Sequence, residues 1–227
     1  FHFFNPFAFW YIYTNMLRRL LLLFIITIGF LLNSGQTFSE NPKNYLKGKF
    51  YSSVKNHFLI ATEKMNDNRF GKTVIIILES DKNGAWGLTI NKPLGTMPIA
   101  LLIDPSLSTS KEREELFKIN VPIFWGGPVD PKEIFILHSS EYKSESTKKY
   151  EKISISQDYN ILLDIAANKG PEKSLVILGY SGWGKSQLEG EMERDHWILS
   201  DIDLDLTFDE ESKTKWNKAI KNSFIKI

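Results

Sequence analysis

Thr73-Val74-Ile75-Ile76-Ile77-Leu78 most restricts how this chain can fold. An apolar, β-branched run of this length reads as a strand buried on both faces, the kind found inside a sheet rather than at its edge. Asp81-Lys82-Asn83-Gly84 follows as a turn, because Asn-Gly supplies the positive φ values that tight hairpins need. Trp86 to Ile90 is the returning strand. Phe58 to Ala61, Ile123 to Trp125, Ile134 to His138, Ile153 to Ile155 and Leu175 to Leu178 read as further strands. Helices are expected over Pro98–Ile103, Lys111–Lys118, Gln157–Asn168 (capped by Ser156) and Gln187–Arg194. A last helix is capped by Asp209 and turns Trp216, Ala219 and Ile220 inward. Hairpins dominate the first half, and strands alternate with helices in the second. That order predicts one mixed α/β domain of the α+β class.

The N-terminal segment has a different character. Met16-Leu17-Arg18-Arg19 precedes the apolar run Leu20 to Leu32, and a polar stretch with Thr37 and Ser39 follows. This is the pattern of a secretory signal peptide. Such a run rises only about 20 Å as a helix, short of the ~30 Å hydrocarbon core. The chain is therefore expected in the periplasm or outside the cell. An uncleaved leader would anchor it to the membrane through residues 20–32, and a misread leader would leave it in the cytoplasm. Residues 1–15 carry eight aromatic side chains and no charge ahead of Met16, and are expected to be upstream sequence wrongly included or the edge of a fragment. The expected organisation is a leader over 1–39, a linker over 40–57 and a folded domain over 58–227. The residues beyond the leader suffice for one sizeable core.

Charge and cysteine content exclude several functions. Residues 40–227 hold 26 basic and 27 acidic side chains, a net charge of −1. With no basic excess to neutralise a phosphate backbone, no nucleic-acid partner is expected. The chain has no cysteine, so disulfides, cysteine-ligated metals and thiol nucleophiles are excluded.

Seven of the fourteen glycines fall in three short stretches beside predicted strands: Gly84 with Gly87, Gly126 with Gly127, and Gly179 with Gly182 and Gly184. They read either as turns and tight packing or as the floor of a cleft. Gly179 to Ser186 matches the P-loop spacing of Gly, four residues, then Gly-Lys-Ser, between an apolar strand and a helix. Only 41 residues follow Ser186, too few for the later strands and magnesium-binding Asp of such a fold. Trp183 is also bulky for a loop that wraps phosphate. His138 closes a strand, but no His-x-x-x-His spacing accompanies it, so no metal is predicted. Ser181 lacks the Gly-x-Ser-x-Gly elbow of a hydrolase nucleophile. Glu191 lies two residues from both Glu189 and Glu193 and shares a helix face with neither; Glu189 and Glu193, four apart, do share one and read as a solvated acidic face. Trp86, Trp125, Trp183 and Trp197 flank glycine-rich turns or strand ends, as core residues or as an aromatic wall around a pocket.

Read together, these stretches resemble the YqgE/AlgH family. The similarity runs from Phe58-Leu59-Ile60-Ala61-Thr62 through Met65, Asp67, Phe70 and Thr73-Val74-Ile75. It continues through Gly84-Ala85-Trp86-Gly87-Leu88, Asn91 and Pro93, then Gly126-Gly127-Pro128-Val129 and Leu137-His138. Ser156, Asp158, Ile165-Ala166 and Gly170-Pro171 follow. Gly179-Tyr180, Gly182-Trp183, Gln187-Leu188-Glu189 and Glu191 form the most distinctive block, and Phe208-Asp209, Trp216 and Ala219 close the match. Lys185-Ser186 stands where the family often has other residues, which makes the P-loop match a coincidence. The resemblance implies a compact α+β fold with a bent sheet forming a partial barrel. It implies no activity; one member is named as a regulator of alginate synthesis. Relatives look cytoplasmic, so the leader is this chain's departure.

The expected function is a non-catalytic ligand- or protein-binding, regulatory role, with an unknown protein or small molecule as partner and no cofactor. The candidate cleft comprises Gly84, Gly87, Asn91, Pro93, Gly126, Gly127, Pro128, His138, Gly179, Gly182, Trp183, Gln187 and Glu189. The alternatives are a hydrolase using His138, Asp158 or Glu189, and nucleotide binding through Gly179–Ser186.

Overall fold

Alternating apolar side chains assemble the sheet from β1 (His57–Ala61), β2 (Val74–Asp81) and β3 (Gly84–Thr89), an antiparallel meander. The computed structural model describes residues 53–225; the expected leader and most of the expected linker lie outside them. The end of that linker is already part of the fold. Val54 is buried in the core, and the Asn56 N–H donates to the Ile77 carbonyl at 2.9 Å. Phe58, Ile60, Val74, Ile76 and Leu78 enter one apolar cluster, while Leu59, Ala61, Ile75 and Ile77 enter another. Successive strand residues point to opposite faces, so β2 is buried on both, as its composition predicted. The β2–β3 turn differs in detail. Asp81 pairs with Gly84, which leaves Lys82 and Asn83 as the turn and puts the positive φ on Gly84 alone.

Next come β4 (Pro93–Pro98), α1 (Ser110–Leu116), β5 (Asn120–Trp125) and β6 (Val129–His138). The helix expected over Pro98–Ile103 is a single 3-10 turn, Ile99–Leu101, because Pro98 still pairs with Asn120 as the end of β4. Glycine and two prolines hid that strand; proline lacks a ladder donor and sits at sheet edges. Thr109 and Glu112 close a capping box on α1.

The second half holds β7 (Lys148–Lys149), β8 (Ser154–Ser156), α2 (Asn160–Ala166), β9 (Ser174–Gly184), α3 (Gln187–Glu193), β10 (Trp197–Asp201), α4 (Leu204–Phe208) and α5 (Ser212–Ile225). Ser156 does not cap α2. Its buried hydroxyl bonds His138 Nε2 at 3.0 Å and Thr147 Oγ1 at 2.9 Å, and Asp158 Oδ1 instead accepts from the Asn160 N–H at 2.9 Å. Asp209 ends α4 rather than starting α5.

The strands join in the order β10-β1-β2-β3-β9-β6-β8-β7, with β5 parallel to β9 and β4 beyond it. The product is a curled, half-barrel sheet, mixed α+β in class, with five helices among the described residues. α5 covers the first cluster with Trp216 and Ala219, and the Trp216 indole N–H donates to the Ala61 carbonyl at 2.7 Å. α3 covers the second with Leu188 and Met192. Among the described residues no helix is long and apolar enough to cross a membrane.

Candidate functional site

The curl of the sheet originates in β9. As far as Leu178 this strand lies between β5 and β6; beyond Gly179 it pairs with β3, Trp86 opposite Gly182. Gly179 takes φ +69° at the change of partner. Gly126 crosses there so closely that a Cβ on it would stand 2.1 Å from the Gly179 carbonyl oxygen. The crossing is pinned by hydrogen bonds. The Gly126 N–H donates to the Leu178 carbonyl at 2.8 Å, and the Gly126 carbonyl accepts from the Thr89 N–H at 3.0 Å and from Ser181 Oγ at 2.9 Å. Gly127, Gly84 and Gly87 serve the same close approach, each with neighbouring backbone within 2.3 Å of where a Cβ would be. These five residues of the predicted cleft are its frame.

A cleft of about 500 Å³ opens beside the bend, lined by Ala85, Trp86, Val129, Glu133, Phe135, Gln157, Tyr180, Gly182 and Trp183. Trp86, Phe135 and Tyr180 form its aromatic wall. Their ring centroids lie 5.6 to 6.1 Å apart, and Tyr180 is nearly perpendicular to both others, at 75° and 78°. Gln157 Nε2 donates to Glu133 Oε1 at 2.6 Å across the cleft's polar side. β6 breaks register between Val129 and Ile134, and Asp130 in that bulge has φ +43°, an uncommon conformation for a residue with a side chain. Burial first, then the Asp130 and Glu133 carboxylates, push the Tyr180 hydroxyl's pKa up, so it stays protonated at neutral pH.

Gly182 and Trp183 are the predicted residues that line this cleft, and Pro128 adjoins it through Val129. The others lie elsewhere. Asn91 is a clamp: Oδ1 accepts from the Val74 N–H at 2.8 Å and Nδ2 donates to the Lys72 carbonyl at 2.9 Å. Pro93 is exposed at the start of β4. Gln187 and Glu189 ride on α3, which packs over the second cluster, whereas Trp86 and Tyr180 pack against the first. Gln187 Oε1 accepts from the Gly184 N–H at 3.1 Å. Glu191 does more on that helix. Its Oε2 accepts both the Trp183 indole N–H, at 3.0 Å, and the Trp197 indole N–H, at 2.7 Å, while Oε1 accepts from Gln187 Nε2 at 3.1 Å. Trp125 and Trp197 stack around Phe70, outside the cleft.

His138 and Glu189 do not come together, and the phosphate loop does not form. His138 is fully buried; its Nδ1–H donates to the Ser139 carbonyl at 2.8 Å, and Nε2 accepts from Ser156. Burial lowers its pKa, against the opposing pull of the Ser139 carbonyl and Glu141. His138 pairs with Ser174 at one end of β9, while Glu189 follows the other end, after Gly184. At roughly 3.3 Å per strand residue the two lie far beyond proton-transfer reach. The P-loop reading fails because Gly179 to Gly184 is strand: Gly182 and Gly184 are paired with β3, and the Gly184 N–H is taken by Gln187. No ring of free amides remains to hold phosphate. Among the described residues no group of three or more His, Cys, Asp or Glu could hold a metal ion.

Fold and cleft together define a mixed α+β protein organised around one curled sheet. The chain belongs to the AlgH-like family, whose sequence model matches residues 58–227. A UPF0301 protein of Shewanella sp. strain ANA-3 is 37% identical over 168 residues, 74% of this chain and 89% of the relative. One from Methylococcus capsulatus is 33% identical over 174 residues, 76% of this chain and 93% of that protein. The solution structure of AlgH from Pseudomonas aeruginosa superposes with a TM-score of 0.63 at 33% identity, covering 76% of this chain and 90% of that one. A protein from Corynebacterium diphtheriae shares the fold, with a TM-score of 0.55 at 11% identity, over 74% of this chain and 86% of that one.

Proposed function

We propose that this chain is a non-catalytic binding protein with a regulatory role, and that the cleft beside the β9 bend is where it takes its ligand. The observation that carries this reading is the composition of the wall. Four aromatic residues, Trp86, Phe135, Tyr180 and Trp183, and one carboxylate–amide pair line about 500 Å³, the size of an ordinary small-molecule site. None of the lining residues is Ser, Thr, Cys, His or Lys, and the titratable groups among them are Glu133 and Tyr180. Fragment mixtures titrated into the full chain, followed by NMR, test the proposal. Shifts should gather on Trp86, Val129, Tyr180 and Gly182 and weaken in Gly182→Leu, which fills the cleft. Shifts confined to other residues, or unchanged in that variant, overturn it.

We further propose that the segment from Met16 to Ser39 carries the protein out of the cytoplasm, on the strength of its basic, apolar and small-residue order. Cell fractionation with sequencing of the mature N-terminus checks this. A cytosolic protein that still begins ahead of Arg18 refutes it.

A further inference from the structure

Resting on the cleft as the ligand site, we infer that its occupant is a small organic cation, an alkylated ammonium held against Trp86, Phe135 and Tyr180 with Glu133 as its counter-ion. Charge is the first reason. The lining includes a carboxylate and no Lys, Arg or His, and a second carboxylate, Asp130, stands close enough to act on the Tyr180 hydroxyl. Lys132 shares the β6 bulge and is exposed, but does not line the cleft. An anion placed here would face the exposed Glu133 carboxylate with no basic group among the lining residues.

The rings are the second reason. Three aromatic groups within 6.1 Å of one another, Tyr180 turned 75° and 78° from the other two and packed edge to face against them, line one wall of the cleft, so their π-systems point in more than one direction. A diffuse cation within about 6 Å of such rings is attracted by their quadrupoles, most strongly by Trp. A bare metal ion is a poorer fit, because it requires several oxygen ligands. The third reason is fixation. Gln157 holds Glu133 Oε1 at 2.6 Å, which orients the carboxylate and leaves Oε2 for a ligand. A preorganised acceptor loses little entropy on binding.

Choline and its uncharged isostere 3,3-dimethylbutan-1-ol have nearly the same shape, so titrating each into the full chain isolates the charge. The readout is the Trp86 indole resonance, assigned with Trp86→Phe. Choline should bind about ten-fold tighter than the alcohol. Glu133→Gln, which keeps the Gln157 contact, should remove most of that preference and leave the alcohol's affinity unchanged. An alcohol that binds as well as choline, still shifting Trp86, refutes the cation and leaves the cleft as a ligand site. Failure of both compounds to move Trp86 or Tyr180 at tens of millimolar also refutes the cation, and the fragment titration then decides the cleft by itself.

Discussion

Glu191 is expected to be the most important charged side chain for holding α3 to the sheet, and Glu191→Ala measures this. The carboxylate accepts two indole N–H groups, at 3.0 and 2.7 Å, from tryptophans that are both buried. Hydrogen bonds to a charged acceptor contribute roughly 1.5–3 kcal/mol each, for a gross value of about 3–6 kcal/mol. Glu191 is itself half-buried, so water reaches part of the vacated space and can replace some of what is lost. About half the gross value, 2–3 kcal/mol, is the expected loss. For a domain of this size that corresponds to a fall in Tm of roughly 4–12 °C. Glu191→Gln retains an acceptor oxygen and should cost about 1 kcal/mol. Glu189→Ala, on the same helix but without such bonds, should lie within about 0.5 kcal/mol of the parent. Urea unfolding followed by tryptophan fluorescence gives all three numbers. If Glu191→Ala is no less stable than Glu189→Ala, the two indoles do not depend on that carboxylate and the account of α3 fails.

The glycines divide by what a methyl group would meet. At Gly126 it would lie 2.1 Å from the Gly179 carbonyl oxygen and 2.6 Å from Ile177 Cγ2; at Gly182 the nearest atom is Tyr180 Cε2, at 3.4 Å. Gly126→Ala should therefore lose about 3 kcal/mol or more, or fail to fold, while Gly182→Ala melts within about 1 kcal/mol of the parent; equal melting curves contradict the crossing described at β9. Lys215 is 1% exposed, its ammonium donates to the Thr207 carbonyl, and burial pushes its pKa down to about 8. Below pH 8 both folded and unfolded chains hold this proton. Between there and about pH 10.4 only the unfolded chain does, so this residue makes stability rise with pH, by at most about 1.4 kcal/mol per unit. Lys215→Met should flatten the rise between pH 7.5 and 9.5 in urea midpoints, and parallel curves for parent and variant contradict it.

Much of the fold was legible because its signals are local. The β2 run reads as doubly buried from its own residues, and Trp216, Ala219 and Ile220 mark the inner face of α5 by spacing alone. Elements fixed by distant partners were not legible. β4 is a strand because β5 pairs with it, although prolines and a glycine argue against one. The second half of β9, Gly179 to Gly184, looks like a phosphate loop in isolation and becomes strand because β3 supplies its ladder. Ser156 has the chemistry of a helix cap, but its hydroxyl bonds a buried histidine 18 residues earlier in the chain.

The site shows the same division more sharply. Its polar pair, Glu133 and Gln157, is separated by 24 residues, and neither belongs to a recognisable motif. Phe135 looks like an ordinary strand residue, and Tyr180 like part of a phosphate loop, until β6 and β9 are set side by side. Sequence singled out the glycines instead, since a residue without a side chain stands out wherever two backbones must touch. The consequence is physical. Gly126 and Gly179 let the chain leaving β5 pass close against β9, β9 changes partner there from β5 to β3, and that change sets Trp86 of β3 beside Tyr180 of β9 and Phe135 of β6. The frame is thus set by close approach of main chain, while the proposed ligand contacts lie in side chains the frame carries. Glu133 and Gln157 are exposed and can be exchanged with little cost to the fold, whereas Phe135 is buried in the first cluster and Trp86 and Tyr180 pack against it, so the rings serve fold and cleft at once.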